Sequence, residues 1–100
     1  MYRASTPTHN FAFPSEYAGK IQTLLITYSQ RDKIVLNKKV DGSEIRGNSY
    51  SYRLTQEETN LFEEIEAVEI QVRILTNDGL SIPSNIYSMP CERVLNDEVL

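Results

Sequence analysis

The chain reads as an all-β protein: a single immunoglobulin-like antiparallel β-sandwich of about seven strands. Three observations lead there. Apolar residues recur with a period of two, turn residues punctuate the chain at short and near-regular intervals, and the resulting spacers are too short for crossover helices. One hundred residues suffice for one domain and not for two.

Taken in order, the first ten residues are rich in Thr, Ser and Pro and read as a flexible arm, residues 1–10, before Phe11 and Phe13 enter a first strand. The sandwich is expected over residues 11–95, with a short tail over 96–100. Residues 20–28 carry Leu24, Ile26 and Tyr28 in one phase and Thr23 and Thr27 in the other. Ile21 and Leu25 break that phase, which predicts that the second face is partly covered. Residues 33–40 place Ile34, Leu36 and Val40 on one face, and residues 49–54 do the same with Tyr50, Tyr52 and Leu54. Between them, residues 44–46 are expected as a brief edge strand.

Thr55-Gln56-Glu57-Glu58 fits a capping box. Thr55 would accept from the Glu58 amide while the Glu58 side chain returns to the Thr55 amide, starting a short helical turn near residues 56–62 with Leu61 and Phe62 tucked inward. The clearest strand follows. Val68, Ile70, Val72 and Ile74 alternate with Glu69, Gln71 and Arg73, the pattern of a sheet with one packed and one wet face, and a central position is expected. The last strand, residues 81–94, places Tyr87, Met89 and Cys91 in one phase; Pro83 and Pro90 cannot donate to a ladder, so it should lie at an edge or bend there. Arg31-Asp32, Asp41-Gly42, Gly47-Asn48 and Asp78-Gly79 supply the turns, Asp-Gly suiting tight hairpins that need positive φ. The chain has one Cys and no Trp, so the cysteine pair and core Trp of antibody domains are missing.

Composition removes several functions. Ten Lys+Arg stand against fourteen Asp+Glu, a formal net charge of -4, and the basic residues are scattered, which argues against a nucleic-acid surface. The longest apolar run, Leu24-Leu25-Ile26, is far below the roughly 20 residues of a spanning helix. The polar N-terminus lacks the apolar centre of a signal peptide, so no membrane association is expected. Cys91 alone allows no intrachain disulfide and reads as a small core residue.

Catalysis needs a base oriented beside the reacting group, and the one imidazole, His9, falls in the arm and reads as a solvated side chain. One Cys and one His cannot close a zinc shell without carboxylates. Glu63, Glu64, Glu66 and Glu69 cluster and Asn77-Asp78 lies at a turn, yet they lack the alternating oxygen spacing of a calcium loop and read as a solvated acidic face and a hairpin tip. No phosphate-binding glycine pattern is present. No catalytic, cofactor-binding or metal residue is therefore assigned, no cofactor is expected and the chain is not read as an enzyme. Among six tyrosines, Tyr50 and Tyr52 read as core, whereas Tyr2 and Tyr17 read as exposed anchors at a protein interface.

The succession Ile26-Thr27-Tyr28-Ser29-Gln30, Lys33-Ile34-Val35-Leu36, Arg53-Leu54-Thr55-Gln56-Glu57-Glu58-Thr59, Val68-Glu69-Ile70-Gln71-Val72-Arg73 and Glu92-Arg93-Val94-Leu95 resembles small uncharacterised proteins encoded in phages and mobile elements of gut Gram-positive bacteria. The layout, with a helical turn before the penultimate long strand, is also similar to the N-terminal immunoglobulin-like domain of phage baseplate upper proteins. The resemblance implies a virion or tail-associated structural role through protein contacts, with assembly in the host cytoplasm, and carries no active-site residues. The expectation is a non-enzymatic structural or assembly protein of a phage or prophage, binding a protein partner through a sheet edge or strand face. Self-association is placed on the last strand and its apolar tail, Val94, Leu95, Val99 and Leu100. The alternative is a small regulatory module that binds a ligand within or between its sheets.

Overall fold

A computed structural model describes all 100 residues, Met1–Leu100. Seven strands form two antiparallel sheets: β1 (Thr8–Ala12), β2 (Ile21–Gln30), β3 (Lys33–Asp41), β4 (Ser49–Arg53), β5 (Val68–Thr76), β6 (Ser81–Pro83) and β7 (Tyr87–Met89). The larger sheet runs β3-β2-β5, and β6 and β7 share the far edge of β5; β1 and β4 make the smaller sheet. This is the all-β sandwich expected. It measures 46 × 27 × 17 Å, the thin dimension matching two sheets packed about 10 Å apart with their outer side chains.

The alternation in β5 works as read. Val68, Ile70, Val72 and Ile74 are buried, Glu69, Gln71 and Arg73 are not, and the strand is paired along both edges. In the same sheet Ile21, Leu24, Ile26 and Tyr28 of β2 and Val40 of β3, together with Tyr52 of β4 and with Leu54, Phe13, Phe62 and Cys91, complete the core. The expected last strand is split into β6 and β7, with Pro83 ending one and Pro90 following the other. Ser84 covers the gap between them: its N–H donates to the Val72 carbonyl at 2.8 Å, and its hydroxyl accepts from the Val72 N–H at 3.1 Å. Without that hydroxyl a β5 amide would lack a partner.

Two β-bulges change the expected facing of residues in β2 and β3. Ile21 pairs with Thr76 and Thr23 with Leu75, so Gln22 is an extra residue, and Ile21 turns inward alongside the even-numbered residues of β2. In β3, Tyr28 faces Leu36 while Ser29 faces Ile34, leaving Val35 as the extra residue. The expected common face of Ile34, Leu36 and Val40 is thereby corrected: a one-residue slip sends Ile34 outward, where it is 65% exposed.

Residues 44–46 are not a strand. Gly42–Glu44 form a 3₁₀ turn in which Asp41 accepts from the Ser43 N–H at 2.9 Å, and Arg46 makes only an isolated bridge to Ser49. Gly42 is required for close approach and not for positive φ, since a Cβ there would lie 1.9 Å from the Ile21 carbonyl oxygen. At the β2–β3 hairpin, by contrast, Arg31 and Asp32 hold φ of 52° and 61°, the mirror-image turn that a two-residue loop between right-twisted strands demands.

The capping box forms as expected and starts α1 (Gln56–Thr59), and the turn continues through bonds from the Leu61 and Phe62 amides to Glu58 and Thr59. Phe62 is buried, three residues on from buried Thr59 and hence on the same face. Leu61, expected inward, falls on the other side and is 56% exposed.

Candidate functional site

The polar side chains with chemical potential cluster between the sheets. His9 sits on β1 opposite Tyr52 of β4, and its Nδ1 is 2.7 Å from the hydroxyl of Tyr28, a fully buried residue of β2 whose ring packs edge-on against Phe62. The solvated imidazole expected from the sequence is thus corrected: His9 is half-buried in a strand. Its pairing follows from the β1 alternation, which turns His9 and Phe11 inward and Thr8, Asn10 and Ala12 outward. The Tyr52 hydroxyl donates to Glu58, the residue whose other carboxylate oxygen closes the capping box at Thr55.

Burial sets the electrostatics of this cluster. Desolvation holds the His9 imidazole below its ordinary value, and the N-terminal amine adds to the effect. Desolvation pushes the Tyr28 phenol well above its ordinary value, with Tyr52 and Glu58 adding to it; Tyr52 moves the same way through burial and its bond to Glu58. Neutral imidazole beside neutral phenol, and a phenol donating to carboxylate, are arrangements that satisfy polar groups between packed layers. Each of these groups is committed to a neighbour.

The acidic segment is similarly tied. The guanidinium of Arg31 reaches Glu66 at 2.7 Å and Glu63 at 3.4 Å, which holds the Glu66 carboxyl below its usual range. Sequence reading missed Gln30 altogether. Buried at the end of β2, it donates through Nε2 to the carbonyls of Glu63 (2.8 Å) and Glu66 (3.2 Å) and accepts from the Glu63 N–H at 2.8 Å. The loop so clamped carries Ile65 at φ 76°, a left-handed conformation uncommon for a β-branched residue, with its side chain 83% exposed. No group of three or more His, Cys, Asp or Glu side chains is placed to hold a metal ion. Cys91 is free and buried, and that burial raises its thiol.

The termini pack together on the α1 side. Thr59, fully buried, accepts from the Ser5 N–H at 3.1 Å and donates to the Ser5 carbonyl at 2.9 Å; Arg3 pairs with Asp97 at 2.9 Å; and the N-terminal amine donates to the Pro90 carbonyl. Asn60 and Gln56 hold the tail through Asp97 and Leu100. The tail still presents Leu95 and Leu100 at 93% and 99% exposure. Of the tyrosines read as core, Tyr52 is buried and Tyr50 is half-buried against the core; of those read as anchors, Tyr2 is exposed and Tyr17 is half-buried.

Tyr17 lines the largest concavity, a cleft of about 410 Å³ between the outer edge of β1 and the β6–β7 side of the larger sheet. Its floor is Val72, Ile74 and Ile82, and its walls include residues 10–14 and Tyr87. The cleft exists because the smaller sheet has two strands and the larger has four strand positions, so the inner face near β6 has no strand above it. No helix is long and apolar enough to cross a membrane. Comparison with family models, curated proteins and solved structures finds no match to this chain.

Proposed function

We propose that this chain is a non-enzymatic structural or assembly protein of a phage or prophage, of the tail or baseplate kind, acting through protein–protein contacts. The observation that carries this reading is the apolar tail. Leu95 and Leu100 are almost wholly exposed although the backbone around them is held to α1, and apolar side chains fixed at the surface in this way support a protein contact there. The resemblance of the strand succession to phage-encoded proteins supplies the setting.

The test is site-specific photo-crosslinking from position 95 or 100 in cells induced for phage production. Adducts with tail or baseplate proteins support the reading; a chain that forms no adduct there overturns it. For the self-association arm, a sizing measurement that gives a strict monomer at every concentration counts against the tail as a self-contact. A second reading, a ligand-binding module, draws on the cleft, whose volume of about 410 Å³ falls in the range of small-molecule pockets.

A further inference from the structure

Of the open sheet edges in this molecule, only one lacks protection. The edge strand β3 carries Lys33, Lys38 and Lys39, and Lys38 points inward, its amine 5.7 Å over the Tyr52 ring and so beside β4 as well. Inward-pointing lysines on an edge are a common device against unwanted strand pairing. Strand β4 ends in Arg53, and β6 and β7 are three residues each, with prolines at their ends. Strand β1 has five residues, Thr-His-Asn-Phe-Ala, with neither a charged side chain nor a proline among them.

The phase of the β1–β4 ladder determines which backbone groups remain free. Bonds from the Phe13 N–H to Asn48 and from the Leu54 N–H to Pro7 flank it. Antiparallel pairing alternates, so the odd-numbered residues of β1 bond to β4, and Thr8, Asn10 and Ala12 turn their N–H and C=O groups to the outer edge. Asn10 and Ala12 of that edge line the cleft. Beside a row of free donors and acceptors lies an apolar lining in which Phe11 and Ile82 are half-buried and Tyr87 is exposed, over the already buried Val72 and Ile74.

We propose that the cleft is a strand-addition site: it takes an extended, uncharged segment of a partner protein, which pairs with the outer edge of β1 and lays alternate apolar side chains against Phe11, Ile82 and Tyr87. This rests on the protein-contact reading above and names the kind of segment bound. Charge selects the occupant. None of the 13 residues lining the cleft is charged, although 24% of the chain is, so a charged side chain entering it would lose water and gain no counter-charge. The chain's own tail, with Asp97 and Glu98, is excluded by the same argument. A whole second copy does not fit either. A twofold pairing of β1 with β1 would continue the smaller sheet and bring both larger sheets, which extend past β1, into the same space. A single extended segment meets both requirements, main-chain bonds for affinity and alternate side chains for specificity.

The probe is a blocked seven-residue peptide of alternating Val and Thr, titrated into the intact protein and followed by amide hydrogen exchange. Binding should slow exchange at Thr8, Asn10 and Ala12 by about tenfold or more at saturation and leave β3 amides unchanged. N-methylation of the peptide on the amides of one parity should abolish binding, and on the other parity should spare it. Ala12→Pro removes an N–H the fold does not use and should weaken binding about tenfold; should this variant not fold, the methylated peptides decide the question alone. Absence of binding at millimolar peptide overturns the proposal, as does binding that leaves those three amides unprotected, the result expected of a small-molecule pocket. Crosslinking from the tail that persists in Ala12→Pro, with no peptide binding to the native chain, refutes strand addition and leaves the protein-contact reading standing.

Discussion

Removing the Gln30 amide tests how the acidic loop is held. In Gln30→Ala the Glu63 N–H and the Glu63 and Glu66 carbonyls lose their side-chain partner. Three bonds at about 1 kcal/mol each set a ceiling near 3 kcal/mol. Two effects lower it: Glu63 and Glu66 lie near solvent, so water replaces part of what is lost, and the freed loop no longer forces Ile65 into the left-handed region, where a residue with a Cβ sits at a cost of about 1–2 kcal/mol. The expected net loss is about 2 kcal/mol by urea unfolding. The relief of strain is separable in a double-mutant cycle. Ile65→Gly should stabilise the native chain by about 1 kcal/mol, because glycine adopts positive φ freely and the lost side chain is mostly exposed. In the Gln30→Ala background the same change should gain less than half as much, since the loop has already relaxed. Equal gains in both backgrounds, or a Gln30→Ala loss under about 0.5 kcal/mol, would refute the clamp.

Three further outcomes follow from the packing. Gly42→Ala should cost about 3 kcal/mol in urea unfolding, because its Cβ would lie 1.9 Å from the Ile21 carbonyl and backbone must move to admit it. Thr55→Ala should cost about 1 kcal/mol by removing the cap from the Glu58 amide, with the loss of helix seen as a small change in far-ultraviolet dichroism. Stability should also fall at both ends of the pH range. The folded His9 value lies below the unfolded value of about 6.5, so in the window beneath 6.5 the unfolded chain binds the extra proton and stability drops with falling pH. The folded Tyr28 value lies above the unfolded value of about 10, so stability is complete below that pH and declines above it, with a slope of about 1.4 kcal/mol per pH unit from this residue. Thermal melts of Tyr28→Phe should lose that alkaline component.

The period-two pattern made the sheets legible because each strand buries one face, and β5, packed on one side and paired on both edges, reads most plainly. The capping box was equally legible, since all its partners lie within four residues. What escaped are features that belong to two strands at once. A bulge changes which residue faces which across a ladder, so the inward turn of Ile21 showed in the sequence only as a broken phase, and the outward turn of Ile34 left no trace. Gln30 reads as the polar end of a strand, because its partners Glu63 and Glu66 lie 33 and 36 residues away. His9 reads as part of an arm because Thr and Pro surround it; its burial depends on Tyr28 across the sandwich. The open edge of β1 did have a signal, the lack of lysine and proline between Pro7 and Pro14, but this acquires meaning only once pairing shows that β1 is an edge.

The most direct test of the whole arrangement is residue-by-residue hydrogen exchange on the free protein. The account expects the amides of His9 and Phe11, bonded to β4, and those of Ile70 and Val72 in β5 to exchange orders of magnitude more slowly than those of Thr8, Asn10 and Ala12. Rates within about tenfold of one another along β1, or unprotected amides in β5, would contradict both the two-sheet packing and the open edge drawn from it.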